Sequence, residues 1–144
     1  MTTAFNKTAL ALCALVGTAA CAQTDATPTP PDATASCPVI DSRDWRAWVD
    51  AEAGGSRVLR VSGEVDLPTP GYSAAWRLGP ADRRAPPAQF LDLAFAAPDG
   101  IVAQVVTSTQ VSYQGDAVYP AYRAIRIRCG DRVLAEITEI PEAL

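Results

Sequence analysis

Two pairs of carboxylates are the side chains of this chain best suited to acid–base chemistry. They are Glu64 with Asp66, and Asp41 with Asp44; paired carboxyl groups are the device that most glycoside hydrolases use. Because Glu64 and Asp66 are two residues apart in a strand-like segment, their side chains share one face of that strand. Nothing around them predicts a cleft. We therefore interpret the pair as solvated charges on a sheet, with carboxylate-based hydrolysis as the alternative.

The rest of the composition removes most other catalytic mechanisms. The chain contains no histidine, and its single lysine is Lys7. Without these residues the exported part of the chain cannot use a serine–histidine–aspartate triad, a serine–lysine dyad, a Schiff base or a histidine-ligated metal. The sequence therefore predicts a protein that is not an enzyme and that has no metal site and no cofactor.

The charge pattern argues against nucleic acid as a partner. The net charge is −4, whereas proteins that bind polyanions carry a basic balance or a clustered basic face. Arg123, Arg126 and Arg128 do gather near one predicted strand. We expect them to pair with carboxylates on a neighbouring strand, which would leave no free basic patch there.

Residues 1–20 have the layout of a secretory signal peptide. A short segment with one positive charge precedes the uncharged apolar residues 8–18, and small residues follow them. The apolar stretch is shorter than the roughly 20 residues that a transmembrane helix needs. The sequence therefore predicts export into an oxidising compartment.

Cys21 is the predicted site of lipidation. It ends the sequence Thr-Ala-Ala-Cys, which resembles a bacterial lipobox, with Thr18 at the position where leucine is usual. The alternative is ordinary cleavage after Ala22, where Ala20 and Ala22 form an A-x-A site. Cys13 lies in the apolar part of the signal peptide and would be removed with it.

Residues 21–36 are predicted to be a disordered tether behind the lipid. They are rich in threonine, alanine and proline and show no apolar periodicity. We expect the lipid on Cys21 to hold the protein at a membrane facing the periplasm. Because Ala22 is not the aspartate that retains such proteins at the inner membrane, the outer membrane is favoured. A soluble periplasmic or secreted protein is the alternative.

Cys37 and Cys129 are the two cysteines that follow the tether. A single pair of cysteines in an exported domain predicts a disulfide. It would close a loop across nearly the whole folded part, for which chain-entropy estimates reach about 4.7 kcal/mol. A zinc site would need four cysteine or histidine ligands.

Residues 37–144 are predicted to form one mainly β domain. Polar and apolar residues alternate with the period of a strand in six or seven segments separated by turn residues. We expect an immunoglobulin-like antiparallel β-sandwich, with a barrel as the alternative. One short N-terminal helix should precede it, because Trp45, Trp48 and Val49 have helical spacing and glycines at 54 and 55 follow.

The predicted core takes one face of each of these elements. Residues 101–113 are expected to be one long strand, and residues 124–129 and 133–140 a hairpin in which Val133 shares the face of Ile127. The core residues are Trp45, Trp48, Leu59, Val61, Val65, Trp76, Leu93, Phe95, Val105, Ile125, Ile127, Val133 and Ile137.

The arrangement of the chain resembles a family of small uncharacterised bacterial envelope lipoproteins. The similarity lies in the signal peptide and in residues 37–48, 63–72 and 122–130, and it covers nearly the whole mature chain. It implies location and shape but no activity. The sequence thus predicts a non-catalytic binding or structural module of the cell envelope, with an envelope protein as its possible partner.

A narrower resemblance concerns one turn. Residues 67–72, with Trp76 shortly after, are similar to the Asn-Pro-Thr-Thr-Gly-Tyr/Phe loop of chagasin-type inhibitors of cysteine peptidases, which are immunoglobulin-like sandwiches. The similarity implies that this loop enters a protease cleft, and such inhibition is the alternative function. The candidate binding loop consists of Pro68, Thr69, Pro70, Gly71 and Tyr72.

Overall fold

Eight strands make up the regular structure of the chain in a computed structural model that describes residues 36–52 and 55–143. The predicted signal peptide, Cys21 and the tether up to residue 35 lie outside the described residues. The strands are β1 (Asp41–Ala51), β2 (Arg57–Leu67), β3 (Ser73–Ala81), β4 (Ala88–Ala96), β5 (Thr107–Asp116), β6 (Ala124–Cys129), β7 (Arg132–Ile137) and β8 (Glu142–Ala143). Across both described ranges, no helix is long and apolar enough to cross a membrane.

The strands form two four-stranded sheets. Their orders are β5-β2-β1-β8 and β3-β4-β6-β7, which confirms the prediction of a mainly β, two-sheet domain. Most neighbours are antiparallel, but β1 pairs with β8 and β4 pairs with β6 in parallel. The expectation of wholly antiparallel sheets was therefore wrong. The chain leaves β4, forms β5 in the other sheet and returns as β6, so it reverses twice and arrives parallel to β4.

One hydrophobic core lies between the inner faces of the two sheets. In β2 the predicted alternation is confirmed. Leu59, Val61, Val65 and Leu67 are buried, as is Gly63, and the polar residues between them are half-buried. The opposite sheet contributes buried residues from β4, β6 and β7. Those that match the predicted core are Leu93, Phe95, Ile125, Ile127 and Ile137.

Two residues of the predicted core lie at the surface instead. Val105 is 59% exposed and Val133 is 55% exposed. Val105 belongs to the segment before β5, because that strand begins at Thr107 and not at residue 101. Val133 lies opposite Arg128 after a register shift between β6 and β7. Successive residues of a strand face opposite sides, so a shift of one residue turns Val133 outward.

The predicted N-terminal helix is wrong, because residues 41–51 form strand β1. The helical spacing of Trp45, Trp48 and Val49 is a local signal only. It is overridden by antiparallel pairing of β1 with nearly the whole of β2. In the strand, Trp45 packs against the core while Trp48 is only half-buried and is not part of the core cluster.

A β-bulge in β1 places Trp45. Arg43 pairs with Glu64 and Arg46 pairs with Ser62, so Asp44 and Trp45 together lie opposite Gly63 alone. Asp44 has a φ of 56°, a left-handed conformation that aspartate adopts more readily than most residues.

The disulfide between Cys37 and Cys129 is present, as predicted. Their Cα atoms are 5.3 Å apart, and Cys129 is buried at the end of β6. Since Cys37 leads directly into β1, the bond joins the beginning of one sheet to a central strand of the other. It therefore ties the two layers covalently.

Candidate functional site

An open groove of about 690 Å³ lies beside β1. One wall is residues 45–48 of β1, and the other is residues 135–143, which contain the end of β7 and the segment that leads into β8. β8 pairs only with Val49 and Asp50. The groove thus runs beside the part of β1 that β8 leaves uncovered, and we call it the β1–β7 groove.

The walls of the β1–β7 groove combine indole rings with charges of both signs. Trp45 and Trp48 come from β1, with the exposed Arg46 between them. Glu136 and Glu139, both exposed, contribute carboxylates from the other wall. Aromatic surface beside a few polar groups is the composition typical of binding sites.

Trp45 is held rigidly from behind the groove. Its ring makes an edge-to-face contact with Trp76, with centroids 6.4 Å apart, and Trp76 packs on Tyr113 at 5.8 Å. The ring also covers Gly63, where a methyl group would overlap it. The indole Nε1 of Trp45 is buried and has no hydrogen-bond partner among the described residues. Packing therefore fixes this wall of the groove.

The sequence assigned both tryptophans to core packing and so did not predict the groove. One signal was present. If residues 45–48 form a strand, two residues three positions apart lie on opposite faces, so only one of the two tryptophans can face the core. The other wall gives no such signal, because it depends on the return of residues 138–143 to β1.

The predicted carboxylate pair lies on the outer face of β2 and not in a cleft. Arg43 contacts Glu64 and donates to Asp66 at 2.8 Å, and the Ser108 hydroxyl donates to Asp66 at 2.5 Å. The hydrogen bond from Arg43, together with that from Ser108, lowers the pKa of Asp66. A general acid requires a raised pKa, so this arrangement stabilises the charge of Asp66.

The second predicted pair is also exposed. Asp41 accepts a hydrogen bond at 2.8 Å from the backbone N–H of Ser42, and Asp44 occupies the bulge. Neither residue lines the β1–β7 groove. Within residues 36–52 and 55–143 there is no cluster of three or more potential metal ligands.

The three arginines near β6 are paired with carboxylates, and for two of them the carboxylate lies on a neighbouring strand, as predicted. Arg126 is bonded to Glu136 at 3.1 Å and Arg128 to Asp92 at 2.7 Å. Both guanidinium groups also lie over the ring of Phe90, at 5.6 and 5.4 Å from its centroid. This outer face is therefore charge-balanced.

Arg123 makes the third pair, with Asp82 at 2.6 Å. Asp82 also accepts a hydrogen bond at 2.9 Å from the backbone N–H of Ala88. The latter bond is the main reason why the pKa of Asp82 is lowered, with a further contribution from Arg123. Asp82 thus joins the loop after β3 to the start of β4.

The candidate loop at residues 68–72 exposes only its tip. Gly71 has a φ of 90°, the left-handed conformation that the third residue of a type II turn requires. Thr69 is only 7% exposed, and Tyr72 packs edge-to-face on Phe95 with centroids 6.4 Å apart. Pro70 and Gly71 are the exposed residues at the centre of the turn.

A smaller apolar cavity of about 360 Å³ lies at one end of the sandwich. Pro86, Pro87, Tyr119 and Pro120 line it, and Arg84 stands at its side. Tyr119 also packs edge-to-face on Tyr122, which fixes its ring.

The chain was compared with known proteins at the level of families, sequences and folds. No protein-family model, no curated protein sequence and no solved structure matches it significantly.

Proposed function

We propose that this protein is a non-catalytic, lipid-anchored module of the cell envelope that binds a protein partner through the β1–β7 groove. The observation that carries the proposal is the groove itself. Its volume of about 690 Å³ falls within the range of roughly 300–1,000 Å³ that is usual for ligand sites. It is also bounded by a wall that the packing of Trp45 makes rigid.

The chemistry of the groove favours a peptide segment of another envelope protein. Trp48 offers a half-buried indole that can bury an apolar side chain. Arg46 on one wall and Glu139 on the other can pair with charged groups of either sign, whereas Glu136 is already paired with Arg126. A polypeptide supplies both kinds of group along one extended segment.

The anchor is the second part of the proposal. It comprises a signal peptide at residues 1–20, a lipid on Cys21 and a tether up to residue 36. The disulfide between Cys37 and Cys129 agrees with an oxidising compartment. The outer membrane is the proposed location, and an immunoglobulin-like arrangement is the proposed class of sandwich. The resemblance to envelope lipoproteins supports all these features.

A cross-linking experiment tests the groove. A photoreactive phenylalanine analogue replaces Trp48 in the full chain, and native envelopes are irradiated. We expect a discrete adduct that is displaced when unlabelled full chain is added in excess, but not when its Trp48→Ala variant is added. The same analogue at Leu78, which is exposed on β3, is the matched control. Equal adducts at both positions, or equal competition by both chains, contradict the proposal.

Mass spectrometry of the mature N-terminus tests the anchor. A diacylglyceryl group on Cys21 is the expected result. An unmodified N-terminus at Gln23 shows cleavage after Ala22 and removes the lipid from the proposal, without affecting the groove.

Inhibition of cysteine peptidases through residues 67–72 is the alternative function. Because Thr69 is buried, contact with a protease would fall on Pro70 and Gly71. Titration of papain-like proteases with the purified chain tests it. Absence of inhibition at micromolar concentration removes it.

A further inference from the structure

Strand edges are where a β domain can pair with another chain. An edge strand presents unpaired backbone N–H and C=O groups, and proteins protect such edges with charges, proline, bulges or shortness. The two sheets described here have four edge strands: β5 and β8 in one, β3 and β7 in the other.

Three of these edges carry protection. β8 is two residues long, and the part of β1 that it leaves uncovered contains the bulge and Arg46. β7 is six residues long, includes Arg132 and Glu136, and has a register shift in its pairing with β6. β3 contains Arg77 and Pro80, and its pairing with β4 is irregular.

Up to Gly115, β5 has none of these features. It is ten residues long and pairs with β2 without a register shift, from Thr107 opposite Leu67 to Asp116 opposite Val58. Residues 107–115 include neither a charged residue nor proline. β5 is therefore a long and regular edge whose single charge lies at its last residue, Asp116, and such an edge accepts another strand.

Exposed apolar side chains lie at both ends of β5. Val105 and Val106, just before the strand, are each 59% exposed, and Val118, two residues after it, is also exposed. Any partner strand along β5 would need apolar groups at both of its own ends to cover these residues.

We propose that β5 is the interface through which two copies of this chain pair, edge to edge and antiparallel, into one continuous eight-stranded sheet. A second copy fits because antiparallel pairing brings the start of one β5 beside the end of the other. Val105 and Val106 of one copy then lie beside residues 116–118 of the other. Each copy thus supplies the apolar groups that the other one needs.

The sequence of β5 is self-complementary in the register centred on Val111. In that register Thr109 lies opposite Tyr113, an aromatic and β-branched pair of the kind that stabilises sheets. On the outer face, Gln110 lies opposite Ser112. The only charged residue of the strand, Asp116, lies opposite position 106 of the other copy, so no like charges meet.

Two outward-facing residues of β5, which lie opposite each other across the proposed interface, test both the interface and its register. Gln110 and Ser112 are exposed in the single chain. Replacing both with lysine puts lysine opposite lysine across the proposed interface, and replacing both with glutamate puts glutamate opposite glutamate. Like charges in these positions destabilise strand pairing. An equimolar mixture of the two variants brings lysine opposite glutamate instead.

Sedimentation velocity of the full chain, carrying Cys21→Ser so that it stays in solution, is the measurement. We expect the unaltered sequence to form a dimer whose fraction rises with concentration. Each double variant should have a dissociation constant at least about tenfold larger, and the mixture should form a heterodimer. The control, Ser73→Lys with Val133→Lys on the edges β3 and β7, adds the same charge and should dimerise normally. Circular dichroism checks that every variant is folded.

Three results would overturn the proposal. They are a monomer at every concentration, dimers of the Gln110→Lys/Ser112→Lys variant as tight as those of the unaltered chain, and a control that loses dimerisation to the same extent. None of these results bears on partner binding in the β1–β7 groove, since β5 is at the opposite edge of its sheet.

Discussion

Replacing Gly63 with alanine tests whether the bulge in β1 exists to seat the Trp45 ring on β2. Gly63 lies opposite Asp44 and Trp45. A methyl group there would overlap Cδ2 and Cε3 of the indole and stand 2.6 Å from Cζ3. Non-bonded carbon atoms prefer about 3.5–4.0 Å, so the ring would have to withdraw by about 1 Å.

The ring has little room to withdraw, because Trp76 meets it edge-to-face and Tyr113 packs on Trp76. Overpacking in a core costs about 1–3 kcal/mol, and we expect a loss of unfolding free energy near the upper limit. For a domain of this size 1 kcal/mol corresponds to roughly 4–8 °C, so the melting temperature should fall by about 10–20 °C. Urea unfolding followed by tryptophan fluorescence measures the change. Ser62→Ala, on the outer face of the same strand, is the control and should change the free energy by less than about 0.5 kcal/mol.

A second background identifies the cause. When Trp45 is first replaced by alanine, the clash is absent, and Gly63→Ala should then stabilise the domain by about 0.5–1 kcal/mol, since glycine weakens a strand relative to alanine. The same loss in both backgrounds would show that the indole ring is not responsible. A neutral Gly63→Ala in the unaltered chain would refute the steric argument outright.

Two further predictions follow from the cross-link and from the ion pairs. Reduction of the bond between Cys37 and Cys129, whose positions are 92 residues apart, should lower the unfolding free energy by about 2–4 kcal/mol; equal urea midpoints with and without reductant would contradict this. Hydrogen bonds from Ala88 and Arg123 lower the pKa of Asp82 in the folded chain. Asp82 therefore contributes to stability above the pKa of an unfolded aspartate, about 3.9, and this contribution is lost as the pH falls through the lower pKa of the folded chain. Asp82→Asn should therefore flatten the decline of the urea midpoint below about pH 4; an unchanged decline would show that Asp82 does not contribute.

Much of the fold follows from short-range patterns in the sequence. The alternation in β2 placed Leu59 and Val61 in the core, because the period of two is decided by neighbouring residues. The pairing of Cys37 with Cys129 could be predicted because these are the only two cysteines of the sequence after the tether. Likewise, the partners of the arginines near β6 could be expected, because opposite charges on adjacent strands attract.

The errors arose where distant parts of the chain decide the structure. Trp45, Trp48 and Val49 have helical spacing, but β2 offers β1 a pairing partner along most of its length, and that pairing prevails. The side chain of Val133 faces outward because of one register shift between β6 and β7, and no local sequence pattern indicates that shift. The β1–β7 groove depends on the parallel pairing of β1 with β8 near the end of the chain.

The cross-link between the sheets also decides how the domain transmits mechanical force. A pull on the chain before residue 37 passes through two sulfur atoms to the end of β6, which β4 and β7 flank on both sides. Tension from that direction therefore does not have to travel along β1. Such a pull therefore does not break the hydrogen bonds between β1 and β2 one after another from residue 41. Unfolding under this force would have to begin elsewhere in the domain.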